Sequence, residues 1–167
     1  MSDQIEELAE HFQSLVGTKT EKYLGEITPL LIQRYALAVG DKNPLYFDKS
    51  FAQQHGYPDI IAPPNLLASV IEWGVGVDEE FLHRDGMPQV GFLPSHFKGI
   101  KIMGGGEEKT FYRPVVAGTK VTLTNEITET YTKQGSKGLM AFLVETNTYR
   151  DQDDNVLCVC KRTTIAR

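Results

Sequence analysis

Cysteine is almost missing from this chain: among 167 residues only Cys158 and Cys160 occur, spaced C-x-C inside an apolar run. On a regular strand these thiols point to one face. With no second Cys or His pair nearby, they read as structural thiols in preference to a metal or redox site. A basic excess is missing as well. Seventeen Lys and Arg stand against 22 Asp and Glu, a formal charge of -5, so no global field favours nucleic acid or an anionic membrane. No apolar run reaches the ~18 residues of a membrane span, and the opening MSDQIEELAEHF is acidic where a signal peptide is basic. The expectation is a soluble, cytoplasmic protein with no nucleic-acid partner and no membrane insertion. The remaining composition, 41% hydrophobic, 23% charged and 10% aromatic, excludes disorder and fibrous repeats, and the length favours one packed domain.

Helical signals come first along the chain. Ile5, Leu8, Ala9, Phe12 and Leu15 recur at helical spacing and predict an amphipathic lead-in helix within residues 1–20. Residues 21–27 read as a short extended piece. Thr28-Pro29 then supplies a cap and a first-turn proline for a helix with Ile32, Tyr35, Ala36 and Val39 on one face, stopped by Gly40. After the turn segment Asp41 to Asp48, a short helix runs from Ser50 to His55. Pro63-Pro64 opens the most apolar stretch, NLLASVIEWGVGV, which predicts a helix from Pro64 to about Val75 buried on nearly all sides. Residues 78–102, rich in Gly, Pro and mixed charge, are the place for a mobile loop or lid.

From Gly104 onward the period changes to two. Lys109 to Arg113, Thr119 to Tyr131, Leu139 to Arg150 and Val156 to Ala166 predict four strands joined by hairpin-type turns, hence an antiparallel sheet. Helices early and strands late describe an α+β domain. The simplest architecture is a long antiparallel sheet wrapped around one buried helix. Gly104-Gly105-Gly106 lacks the Lys and Ser/Thr of a phosphate loop and marks a bulge or close strand approach.

Four segments carry a family resemblance: D41-K-N-P-L-Y-F-D48, F51-A-x-x-x-G56, I60-I-A-P-P-N65 and G105-G-E-E-K-T-F-Y-R-P-V-V-A-G118. Together they resemble the MaoC-like hydratase/dehydratase family of hot-dog proteins, over roughly residues 21–167. The ending from Tyr131 to Asn155 looks like the N-terminal-domain subgroup, in which the hot dog is half of a double-hot-dog chain or a separate subunit paired with a fuller MaoC-like partner. The resemblance implies a lead-in helix at 1–20 followed by a hot-dog domain at 21–167. It implies activity on acyl-CoA or acyl-carrier-protein thioesters, with no cofactor beyond that thioester and no metal.

Hydrating an enoyl thioester requires a base for the water, an acid for the α carbon and a donor for the thioester oxygen. By resemblance Asp41 matches the family's catalytic Asp and Asn43 the residue that orients its loop. The catalytic His position is Tyr46. A phenol with a reference pKa near ~10 does not replace imidazole as a base without help. Pro64 stands where the family has its oxyanion Gly, and proline has no N–H. Tyr46, Ala62, Pro63, Pro64 and Asn65 are the substrate-binding candidates. Simpler roles stand beside these: Asp41 as a turn acceptor, Tyr46 as a packed aromatic, His55 as a cap, and His83 and His96 as loop residues. Three readings follow: a subunit shaping the acyl pocket of a hydratase/dehydratase whose MaoC-like partner supplies the Asp/His dyad, a self-sufficient homodimer using Asp41, or a non-catalytic acyl-thioester binding protein.

Overall fold

The structure is a computed structural model that describes residues 2–167 apart from 75, 83–85, 87, 89–90 and 137. Five strands form one antiparallel sheet in the order β1-β3-β4-β5-β2: β1 (Lys19–Glu26), β2 (Ile102–Phe111), β3 (Lys120–Gly135), β4 (Gly138–Arg150) and β5 (Val156–Ala166). The three long strands lie where the period-two pattern predicts them. β2 begins at Ile102, well before the Lys109 that the pattern predicts, because the glycines in between carry no side-chain alternation. Those glycines do what a bulge does: register against β5 shifts between Gly104 and Gly106. A Cβ on Gly105 would sit 2.9 Å from Thr163 Cγ2 and 3.0 Å from Ile165 Cγ1, so a close strand approach requires glycine there.

The helices lie over two apolar clusters. In the first, α2 (Pro29–Ala38) contributes Ile32 and Ala36, which meet Ile27, Tyr46, Ile60, Leu66, Leu67, Tyr149 and Cys158. Thr28 caps α2, its Oγ1 accepting from the Leu31 N–H at 3.3 Å. In the second, α1 (Ser2–Leu15) sets Ile5, Leu8 and Phe12 against Ile127, Ala141, Leu143 and Ala166. The lead-in helix therefore covers part of the sheet.

This corrects the reading of the central helix. Helical backbone is confined to Leu66 and a π turn at Leu67–Ile71, in which the Glu72 N–H donates to Leu67 O at 3.1 Å. Gly74 and Gly76, at φ 60 and 88°, end it; Val75, the expected terminus, lies outside the described residues. Leu66, Leu67, Ala68 and Ile71 are buried, but Val70 and Trp73 are 39% and 52% exposed. Burial on nearly all sides fails within this chain because α1, and not a longer central helix, covers the second half of the sheet. The described part of the 78–102 segment differs too; residues 83–85, 87, 89 and 90 lie outside the described residues. Phe97 is buried in the second cluster with Phe92, Leu93 and Ile100 packed beside it, so this part is anchored under α1 and is no lid.

Between the clusters runs a polar belt. Arg162 on β5 grips Glu72 with Nη1 to Oε1 at 2.7 Å and Nη2 to Oε2 at 3.2 Å. Its Nε donates to Glu107 Oε1 at 2.8 Å, and Lys109 pairs with the other Glu107 oxygen. Tyr149 donates its hydroxyl to Glu72 Oε2 at 2.7 Å, and Asn125 joins through Asn147 Oδ1 at 2.7 Å. Burial alone would lower the Arg162 pKa, but its bonds to Glu72 and Glu107 raise it.

Candidate functional site

The Asp41–Asp48 turn is held by its own side chains. Asp41 accepts from the Asn43 N–H at 3.0 Å, Asn43 Oδ1 from the Leu45 N–H at 3.1 Å, and Asp48 Oδ1 from the Phe51 N–H at 3.0 Å. The last of these caps α3 (Lys49–Gln54). The turn thereby drives Tyr46, on a 3₁₀ turn at Pro44–Tyr46, down into the first cluster, where it is 6% exposed. Its hydroxyl interacts with Asp41 and Asn43. Burial, then the Asp41 charge, raises its pKa against a smaller opposing effect of Asn43. Tyr46 is therefore a neutral phenol, a donor and not a base.

Residues 60–62 are stitched to this turn. The Ile61 N–H donates to Leu45 O at 3.0 Å and the Ala62 N–H to Val115 O at 2.7 Å. Tyr46, Ala62, Pro63, Pro64 and Leu67 line a cavity of about 320 Å³ together with Phe111, Pro114, Val115, Leu157 and Cys158. The volume lies at the lower end for small-ligand pockets. Burial, then the neighbouring Cys160, pushes the Cys158 thiol up to about 11, so it is no nucleophile at neutral pH.

Among the expected site residues, Tyr46, Ala62, Pro63 and Pro64 are brought together at this cavity. Asp41 and Asn43 stand behind Tyr46 and do not line it. Asn65 is exposed, and its carbonyl accepts from Ser69 Oγ at 2.6 Å. His55 places Nδ1 2.8 Å from Phe51 O, His96 has Nε2 3.8 Å from Glu7 Oε1, and neither lines the cavity; His83 lies outside the described residues. Sequence reasoning missed Tyr57, Arg113 and Leu157 as cavity residues. Arg113 sat in plain view inside the F-Y-R-P segment, without a pattern to assign it to a mouth.

A family model described as "FAS1-like, dehydratase domain region" matches residues 14–160, most of the chain. The chain belongs to the FAS1-like dehydratase family. A UPF0336 protein of Streptomyces coelicolor is 36% identical to this FAS1-like chain over 119 residues, 69% of this chain and 70% of that protein. The alpha subunit of a 3-oxo-4,17-pregnadiene-20-carboxyl-CoA hydratase from Mycobacterium tuberculosis is 27% identical over 97 residues, 58% of this chain and 30% of that protein. The ChsH1-ChsH2 complex of the same organism contains a chain that superimposes with a TM-score of 0.74 at 20% identity, covering 98% of this chain and 90% of that one. The fold is thus the hot dog that the four resembling segments together imply. Among the described residues, no helix is long and apolar enough to cross a membrane.

Proposed function

We propose that this chain is the non-catalytic subunit of a 2-enoyl-thioester hydratase, or in reverse a 3-hydroxyacyl-thioester dehydratase. It shapes the acyl pocket, and a homologous MaoC-like partner supplies the Asp/His dyad. The observation that carries the reading is the cavity's chemistry. Where the reaction needs a base it holds a neutral phenol, Tyr46, and where it needs an oxyanion N–H it holds Pro64. The wall is suited to an acyl chain, and no carboxylate or imidazole stands among the described residues that line it. The subunit name of the M. tuberculosis hydratase relative supports a two-chain enzyme and a CoA thioester.

The uncovered surface supports a partner. β2 is an edge strand, and Met103 and Phe111 on it and Tyr112 just beyond are exposed. A long unpaired edge with apolar side chains invites pairing, and a homologous chain laid along it extends the sheet. The reading calls for no cofactor, since the reaction adds or removes water.

The test is hydration of crotonyl-CoA by wild type and Asp41→Asn, each with and without the candidate partner. The expected result is an inactive lone chain and a complex that Asp41→Asn slows less than ~10-fold, while the matching change in the partner abolishes turnover. Strong activity of the lone chain that vanishes in Asp41→Asn would overturn this reading in favour of the self-sufficient homodimer. Tight acyl-CoA binding without turnover in any combination would favour a binding protein.

A further inference from the structure

The cavity carries a single charge. Of the described residues lining it, only Arg113 is charged, and it is exposed. Its backbone is fixed: the Tyr112 and Arg113 N–H groups both donate to Leu157 O, at 2.9 and 3.3 Å, and Pro114 follows at once. No carboxylate among the described residues lies within ion-pair distance of its guanidinium. Asp151 feels its charge, but the Asp151 oxygens are taken by the Asp153 and Asn155 N–H groups at 2.9 and 2.8 Å and by Asn155 Nδ2. Phe111 and Tyr112, which precede it in the chain, are 50% and 60% exposed and also line the cavity.

An apolar chamber with one unpaired guanidinium at its rim is complementary to an amphiphilic anion. The chamber, about 320 Å³, has no room for a nucleotide beside an acyl chain, so the charged part of a thioester must lie outside it. A guanidinium favours phosphate because its planar fork donates two parallel hydrogen bonds to two oxygens. We infer that Arg113 is the headgroup residue of this cavity, binding a phosphate of the thiol-bearing arm while the acyl part fills the chamber. The inference rests on the thioester reading above and adds which end of the cavity takes the anion.

Calorimetry separates the two. Butyryl-CoA, butyryl-4′-phosphopantetheine and butyryl-pantetheine are titrated into wild type, Arg113→Ala and Arg113→Lys, each with the partner subunit present, at low and high salt. Arg113→Ala should weaken butyryl-CoA about tenfold or more and leave butyryl-pantetheine unchanged, with Arg113→Lys between. Salt should weaken butyryl-CoA more in wild type than in Arg113→Ala. A matching loss for butyryl-4′-phosphopantetheine would assign Arg113 to the arm phosphate that CoA and a carrier protein share; a loss confined to butyryl-CoA would move it to the nucleotide phosphates and overturn the assignment to the arm. Equal weakening of butyryl-CoA and butyryl-pantetheine, or of neither, would overturn the inference and leave the thioester reading standing. No binding of any thioester by wild type would overturn both. Arg113→Lys keeps the stem and charge, so a loss in both variants with unchanged melting temperature cannot be blamed on folding.

Discussion

The cavity and the polar belt use the same strand, four residues apart: Cys158 borders one and Arg162 anchors the other. They are opposites in chemistry. The belt holds Glu72, Arg162, Glu107 and Lys109 in mutual contact, with Tyr149 donating to the same carboxylate. The cavity, where a ligand fits, is lined by one charged residue among those described. A cluster of strongly interacting ionisable groups is thus no pointer to function when each charge is answered by another. A lone charge beside empty apolar space is the more telling feature.

The widest separation between the regions should appear in stability. Glu72→Ala leaves Arg162 half-answered in a largely buried place and should cost about 2–4 kcal/mol in urea denaturation, while Glu72→Leu with Arg162→Met should recover much of it. If the single change proves silent, the belt is not the clamp described. On the cavity side, Leu67→Ala should cost about 2–3 kcal/mol, near the low end for a buried leucine because the wall already borders open space, and should enlarge the chamber. Longer acyl-CoA chains should then bind better relative to butyryl-CoA.

Asn43→Ala removes the acceptor for the Leu45 N–H and should cost about 1 kcal/mol. It also takes the Asn43 side chain away from the Tyr46 hydroxyl. With its pKa near 11, Cys158 should label slowly at neutral pH, speed up nearly tenfold per pH unit toward that value, and be protected by bound acyl-CoA. Cys160, fully buried, should label only on unfolding. The smallest effect concerns Glu107, whose carboxyl is held below its ordinary value first by the hydrogen bond from Lys109 and then by Arg162, against burial. A lowered folded-state pKa gives stability that is full above the unfolded value of about 4.3 and is lost as pH falls through the folded one. The melting-temperature gap between wild type and Glu107→Gln should therefore close on acidification.

Much of this architecture was legible because it repeats locally. Val121 and Leu123 alternate inward along β3, and Ile5, Leu8 and Phe12 recur with period 3.6, so these elements declare their own inner face; β4 buries Ala141 to Val144 in succession and declares a strand covered on both faces. Tyr46 at the cavity was legible by resemblance, through the spacing from Asp41. What stayed hidden depends on distant pairs. Glu72 meets Arg162 across 90 residues of chain, and nothing near either residue signals the other. The length of the central helix was misjudged for a related reason: apolar residues announce that something covers them, never which segment does so. Here α1 claimed the far half of the sheet, leaving Val70 and Trp73 uncovered. Arg113 was visible as a residue and invisible as a mouth, because a cavity belongs to four separated segments at once.

The strand order has a consequence for how the chain comes to be folded. β1 and α1, which precede the other strands along the chain, rest on β3 and β4, and the Gly17 N–H bonds Ile127 O. β2 likewise waits for β5, with Met103 opposite Ile165. Only β3, β4 and β5 pair with immediate neighbours through hairpins. During synthesis, at ~5–20 residues per second, the segments ahead of β3 emerge before the strands they join. The C-terminal three strands must form the template, and the earlier elements dock on it afterwards, a non-local order that makes folding slow and puts a premium on shielding the nascent chain.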